Sequence, residues 1–346
     1  MSSSTVSLVT VGADVRLAVR EAMEAANWRS YLTPGADVCL QPNLGWDRFL
    51  PGAVTSPWVV EGVVQTIREH VGRLYLVEAD QALVRCELAL RQTRLDDLAR
   101  RYDLQWVNLS REPFTSVEVP DARALPTVRV PELLLRTEMI TLPVMKTHNK
   151  STITGALKNQ WGCLPQDRHR YHGVLSGALA DLNRVLRPRF AVMDATVCLE
   201  GNAPKSGRPR IMDLVLASGD LVALDATAAT LMGFDPSRIE HIRECAEAAL
   251  GTADSDQIRL VGPSLETLAV SFEPAHDNLV SRVEMALRRS RLARAVFETA
   301  VFDLACYGAN LWYWFWYYLG PGRRYRDRIL RDSRYAPQWQ RPGSRD

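Results

Sequence analysis

The chain has 346 residues, 47% of them hydrophobic and 24% charged, with a formal net charge of +2. That length holds one large α/β domain with additions, or two domains. So balanced a charge, with its basic residues dispersed except near the C-terminus, argues against nucleic acid as a partner. Cys39, Cys86, Cys163, Cys198, Cys245 and Cys306 are scattered without a C-x-x-C pair. This argues against a zinc ribbon, an iron–sulfur cluster and a disulfide framework, and fits reduced thiols in a cytoplasmic protein. No basic stretch followed by an apolar one opens the chain, so no secretion signal is expected.

Taken in order, strand-like and helix-like segments alternate. Val6 to Val11 reads as a strand and Asp14 to Trp28 as an amphipathic helix. Val38 to Gln41 is a short apolar strand ending at Pro42-Asn43. The loop from Gln41 to Pro57 is rich in Gly, Pro, Asn and Thr, as functional loops tend to be. Within it Thr55 and Ser56 are candidate donors to a substrate, or caps of the helix from Pro57 to His70. Leu74 to Val77 is a strand ending at Glu78, Leu95 to Tyr102 a helix and Gln105 to Leu109 a strand. Further on, Met139 to Leu142, Phe190 to Met193, Leu214 to Ala217 and Ile258 to Val261 read as strands. Gly173 to Leu186, Leu221 to Met232 and Pro236 to Leu250 read as helices. The implied fold is α/β: a mainly parallel, Rossmann-like sheet with helices on both faces, spanning residues 1–265.

From about Ala275 the pattern becomes helical, first basic (Arg288, Arg289, Arg291, Arg294) and then aromatic. Residues 275–346 read as a C-terminal helical appendage. Its uncharged run from Leu304 to Leu319 falls short of the roughly 20 apolar residues a membrane span needs. Three roles stay open for it: packing on the body or in a homodimer, peripheral membrane contact, or a lid over an apolar substrate.

The stretch from Leu142 to Gly162, LPVMKTHNKSTITGALKNQWG, is the richest in chemistry. An apolar strand feeds directly into Lys146, His148, Lys150 and Lys158, interleaved with threonines. Cations and hydroxyls at a strand exit suit an anion or a proton-transfer site and are poor core material. Thr154 caps a predicted helix at Gly155, whose free N–H groups and Lys158 favour phosphate or carboxylate. The P-loop spacing is absent, and no G-x-G-x-x-G follows a strand. In open α/β sheets ligands bind beyond the carboxyl ends of strands. By that rule Asn43, Glu78, Asp194 and the lysine-rich motif converge on one rim. His148 is a candidate general base or metal ligand, and His172 a candidate companion. A divalent metal held by His148, His172, Glu78 and Asp194 is an alternative, although no metal-ligand spacing appears. The loop from Glu200 to Arg210, EGNAPKSGRPR, reads as a flap bringing Lys205 over an anion, or as an ordinary turn. Asp220 reads as a helix N-cap, and Asp225, inside the helix, needs a partner if buried.

The segments QPNL (41–44), GAVTSPWVV (52–60), LVEA (76–79), the motif above, MDATVCLEGNAPKSG (193–207) and DLVALDATAATLMG (220–233) together resemble the family called domain of unknown function 362. The resemblance runs from about residue 5 to about residue 262. It implies a widespread family that mostly lacks an assigned reaction, many of whose members carry a ferredoxin-like domain. Two departures stand out: Gln41 replaces the usual lysine before Pro-Asn, and the ferredoxin-type cysteines are missing.

These readings lead to an enzyme acting on a small anionic metabolite, a carboxylate or phosphate, by acid–base chemistry of isomerase, lyase or racemase type. Lys146 and Lys158 hold the anion, His148 moves a proton, and Asn43, Thr154 and Asn159 orient the substrate. Asp194 or Glu78 acts as the acid–base partner. The alternatives are a metal- or cofactor-dependent redox enzyme on the same rim, and a non-catalytic ligand-binding or membrane-associated scaffold. No cofactor is favoured.

Overall fold

In the computed structural model, which describes residues 3–276, 290 and 300–340, strands and helices alternate as the sequence pattern predicts. The first units are β1 (Ser4–Thr10), α1 (Val15–Ala25), β2 (Val38–Pro42), α2 (Pro57–Ile67), β3 (Leu74–Glu78), α3 (Cys86–Gln92), α4 (Leu95–Tyr102) and β4 (Gln105–Asn108). A hairpin of β5 (Phe114–Glu118) and β6 (Thr127–Pro131) leads through α5 (Glu132–Arg136) to β7 (Glu138–Leu142). The lysine-rich motif forms β8 (Val144–His148), β9 (Thr152–Ile153) and α6 (Gly155–Asn159). Then come α7 (Leu175–Leu186), β10 (Phe190–Glu200), β11 (Arg208–Ser218), α8 (Leu221–Leu231), α9 (Glu240–Glu247), β12 (Ile258–Val261) and α10 (Leu265–Leu268). Near the C-terminus stand α11 (Ala300–Tyr318) and α12 (Gly322–Asp332).

Local chemistry explains the elements. The Asp14 carboxylate accepts from the Arg16 N–H and caps α1, and the buried residues Val15, Ala18, Val19, Ala22 and Met23 recur at helical spacing. Pro57 occupies the first turn of α2, where its missing N–H costs nothing. The strands β2 and β3 are buried along their whole length because both faces of the sheet are covered. On β2, Val38 and Leu40 join the apolar cluster under α1 and α2, and Cys39 joins the cluster with α7 on the other face. Ile329, Tyr335 and Trp339 bring the C-terminal helices onto the α1–α2 face.

The main sheet runs in the order β12-β1-β11-β10-β7-β2-β3-β4. Neighbours from β4 to β10 are parallel, as are β1 and β12, and β11 runs antiparallel to both β10 and β1. The chain leaves β2 towards β3 and β4, and later returns to lay β7 on the other side of β2. Strand order therefore reverses between β2 and β7, where a crevice opens at the carboxyl ends.

Several segments differ from the sequence reading. Lys146 and His148 lie on a strand, since β8 continues β7 past Pro143 and pairs with β10. The strand β10 runs on to Glu200, so Asp194 lies within a strand and not at its end. The hairpin β5–β6 and the short helices α3 and α5 add to the elements the sequence pattern predicts; their segments are too short to establish a period. Arg288, Arg289, Arg291 and Arg294 lie outside the described residues.

Candidate functional site

A small cleft of about 70 Å³ opens at the β2–β7 crevice. Of the residues singled out in the sequence, Asn43, Glu78, Lys146, His148, Thr154, Lys158 and Asn159 line it, joined by Gln81, Trp161, Arg168 and Pro204.

The strand β8 sets two of these. Side chains two apart on a strand share a face, so Lys146 and His148 point the same way. Met145, on the opposite face, enters the apolar cluster under α8, and Thr147 donates to the Gly201 carbonyl at 2.8 Å. Lys146 Nζ donates to Asn43 Oδ1 at 2.8 Å and to the Ala53 carbonyl at 2.6 Å. The Lys150 N–H donates to His148 Nδ1 at 3.0 Å. In the neutral imidazole that bond leaves the proton on Nε2. Burial, then the neighbouring Lys158 and Lys150, hold the His148 pKa well below its ordinary value.

Helix α6 sets the next pair. Its first turn is gripped by Asp225 of α8, whose carboxylate accepts from the Ala156 N–H at 2.6 Å and from the Leu157 N–H at 2.9 Å. Here is the partner the buried Asp225 needs. Gly155 has φ +61°, and a Cβ there would sit 2.4 Å from the Asp225 carboxyl atoms, so only glycine fits. Thr154 and Lys158, four residues apart, project to one side of this turn. The Thr154 hydroxyl is buried and has no hydrogen-bond partner. Lys158 is 9% exposed, and no described residue accepts a hydrogen bond from its ammonium. Burial, with repulsion from Lys150 and Arg168, pulls its pKa down to about 7. Burial and repulsion from Lys158 likewise take Lys146 to about 7, with Glu78 opposing.

Glu78, at the end of β3, accepts from the Ala79 N–H at 2.8 Å and from the Leu44 N–H at 3.4 Å. Burial raises its carboxyl to about 7 against those bonds and the Arg168 charge. An amide network fixes the floor. Asn43 Nδ2 donates to Asn159 Oδ1 at 2.8 Å, and Asn159 Nδ2 donates to Thr141 Oγ1 at 2.9 Å and to the Gln41 carbonyl at 3.1 Å. Gln41 Nε2 donates to the Asn159 carbonyl at 2.9 Å, so an uncharged amide ties β2 to α6.

The remaining candidates stand behind the cleft or beside it. Thr55 accepts from the Asn43 N–H at 2.8 Å and donates to the Leu142 carbonyl at 2.7 Å, joining the β2 loop to β7. Ser56 holds the N-cap position of α2 without a side-chain cap bond. The Asp194 carboxylate accepts from the Ser56 N–H at 2.8 Å, the Thr196 N–H at 3.0 Å and the Thr196 hydroxyl at 2.6 Å. It is a buried brace, its pKa raised by burial. His172 packs its ring 5.6 Å from that of Trp161. Lys205 lies between the rings of Trp46 and Tyr313, with Nζ 5.3 and 5.5 Å from their centroids, and does not line the cleft. Among the described residues no group of three or more His, Cys, Asp or Glu is placed to hold a metal ion. The donor set of His148, His172, Glu78 and Asp194 does not converge.

Arg168 escaped the sequence reading. It is buried in the turn before α7 and donates to the carbonyls of Leu164 and Asp80 at 2.7 and 3.0 Å. Nothing in its spacing marks it. Gly162 carried a signal only as the end of the motif: a Cβ there would sit 2.4 Å from Glu78 Oε1.

Fold and site together define an α/β protein with a buried lysine–carboxylate cleft at the strand-order reversal of a mostly parallel sheet. The sequence model of the family described as Domain of unknown function (DUF362) matches residues 38–230, more than half of the chain. The chain belongs to that family. It is similar to a thylakoid-associated protein of Synechocystis sp., 25% identical over 221 residues that cover 61% of this chain and 67% of the relative.

Proposed function

We propose that this protein is an enzyme that binds a small carboxylate or phosphate and moves a proton on it, an isomerase, lyase or racemase by reaction type. The observation that carries the reading is Lys158, a buried lysine that lines the cleft with no hydrogen-bond acceptor for its ammonium among the described residues, beside a buried Thr154 hydroxyl that also lacks a partner. Leaving such groups unpaired costs several kcal/mol in rough terms, and a bound anion removes that cost. The sheet serves as a Rossmann-like frame, with the ligand at the reversal between β2 and β7.

Within this reading Lys158 and Thr154 hold the anionic group. Glu78, its carboxyl raised by burial to about 7, is suited to take and return a proton. Lys146 and the Nε2–H of His148 are placed to stabilise negative charge on an enolate-like oxygen. His148 is then a donor, and the base is Glu78, because the Lys150 N–H occupies Nδ1.

A thermal-shift screen of small carboxylates and phosphates on wild type and Lys158→Ala tests the first half. An anion that raises the melting temperature of wild type alone supports the site; no stabilising anion, or equal stabilisation of both proteins, removes it. For a ligand so found, proton NMR in deuterium oxide tests the second half. Exchange at the carbon next to the anionic group is expected in wild type and lost in Glu78→Gln.

A further inference from the structure

Helix α11 inverts the pattern of a helix lying on a protein surface. Its inner side is fixed to the body: Tyr317 Oη donates to the Phe49 carbonyl at 2.6 Å, and the Tyr313 ring meets Trp46 edge to face at 5.2 Å. Its outer side carries Leu304, Tyr307, Leu311, Trp312, Phe315 and Leu319, all exposed, with Leu304 at 71% and Trp312 at 57%. The spacing of Leu304, Leu311, Phe315 and Leu319 gives one continuous stripe along the helix. No charged residue falls between Leu304 and Gly322. A stripe of this kind on a soluble protein marks a surface that something covers.

We propose that this stripe docks the protein on the surface of an anionic lipid bilayer, with α11 lying in the plane of the interface. Three observations favour a lipid surface over a second copy of the chain. The exposed side of the helix carries Tyr307, Trp312, Trp314 and Tyr318, and Trp and Tyr rings settle at the boundary between headgroups and acyl chains. At its C-terminal end stand Arg323 and Arg324, exposed and without an ion pair among the described residues. These two arginines complement anionic headgroups. On α12 itself the acids Asp327 and Asp332 are already paired with Arg326 and Arg331, so the same helix of a second copy offers these two arginines no unpaired acid. No described helix is long and apolar enough to cross a membrane, and the inner bonds of α11 hold it flat against the body. This surface is independent of the chemistry of the cleft.

The test is flotation of the full chain with vesicles of phosphatidylcholine alone and of phosphatidylcholine mixed with phosphatidylglycerol. Wild type is expected to float with the mixed vesicles and to be released by salt, with a blue shift of tryptophan fluorescence on binding. The exposed double variant Trp312→Ser/Phe315→Ser is expected to stay unbound while keeping the wild-type melting temperature. Arg323→Ala/Arg324→Ala is expected to bind about 25-fold more weakly, each arginine near an anionic surface being worth roughly a factor of five. Wild type that ignores anionic vesicles, or a serine variant that floats as wild type does, overturns the proposal. So does a concentration-dependent dimer in sedimentation that stays off vesicles and is dissolved by the serine variant, which would assign the stripe to a second copy.

Discussion

Gly162 backs directly onto Glu78: a Cβ on the glycine would stand 2.4 Å from Oε1 and 3.2 Å from Gln41 Nε2. The carboxylate is therefore positioned by the absence of a side chain as well as by the Ala79 N–H. Gly162→Ala must push Glu78 into the cleft or move the turn after α6. A destabilisation of about 1–3 kcal/mol is expected, the usual cost of overpacking. Anion binding should weaken with it, read by thermal unfolding with and without ligand. A variant as stable as wild type with unchanged binding would show that Glu78 is not held against this turn.

The unpartnered ammonium of Lys158 makes a prediction about stability and pH. Its pKa falls from an ordinary 10.5 to about 7 on folding. Between those values the unfolded chain binds a proton that the folded chain does not, so stability from this group rises with pH across that window. Below pH 7 both states are protonated and the burial penalty is complete. Lys158→Met keeps the length of the side chain and removes the charge. It is expected to stabilise the protein by about 2–4 kcal/mol at pH 6, with the gain fading towards pH 10. Urea unfolding at both pH values checks this. A destabilised Met variant at pH 6 would mean that the lysine has a native partner.

The same shifts give the ligand a pH dependence. As pH rises through about 7, Lys158 and Lys146 lose their charge and Glu78 gains one. All three changes disfavour an anion. Binding of a stabilising anion is expected to fall steeply between pH 6 and 8, by roughly tenfold or more per unit where two groups titrate together. Calorimetry over that range reads it, and a flat profile would separate these groups from the ligand.

What the sequence made legible follows from the kind of signal each feature leaves. The βα alternation was readable because covered strands such as β2 and β3 are short apolar runs and α1 is strongly periodic. The convergence of Asn43, Glu78 and Lys158 was readable because strand ends meet at one rim. Lys146 and His148 were placed just beyond a strand, since lysine and histidine do not mark a buried strand. The pairing of β8 with β10 overrides that preference, a tertiary effect that local composition does not record. Asp194 looked like a strand-end acid because Phe190 to Met193 is the apolar part of β10. Its carboxylate holds the Ser56 and Thr196 N–H groups, a contact across 138 residues for the first of them. Arg168 and Gly162 matter through close approach in space, and neither spacing nor composition shows that.

Asp194 gives a prediction that separates bracing from chemistry. It does not line the cleft, and its three accepted hydrogen bonds go to Ser56 and Thr196. Asp194→Ala leaves two buried N–H groups without acceptors and should cost about 2–4 kcal/mol. Asp194→Asn keeps one oxygen and should cost less.

His148 separates a donor from a base. With Nδ1 accepting from the Lys150 N–H and burial holding the pKa well below its ordinary value, the neutral ring carries its one proton on Nε2. Nitrogen NMR of the labelled protein is expected to show the Nε2–H tautomer, with any titration of this ring displaced well to the acid side of an ordinary histidine. Gln places an amide NH₂ near the position of Nε2 and cannot act as a base. If His148 donates to the ligand, His148→Gln retains most of the anion binding and part of the proton exchange, and His148→Ala loses both by about tenfold or more. Loss of exchange in the Gln variant with anion binding intact would make His148 the base and return Glu78 to a supporting role.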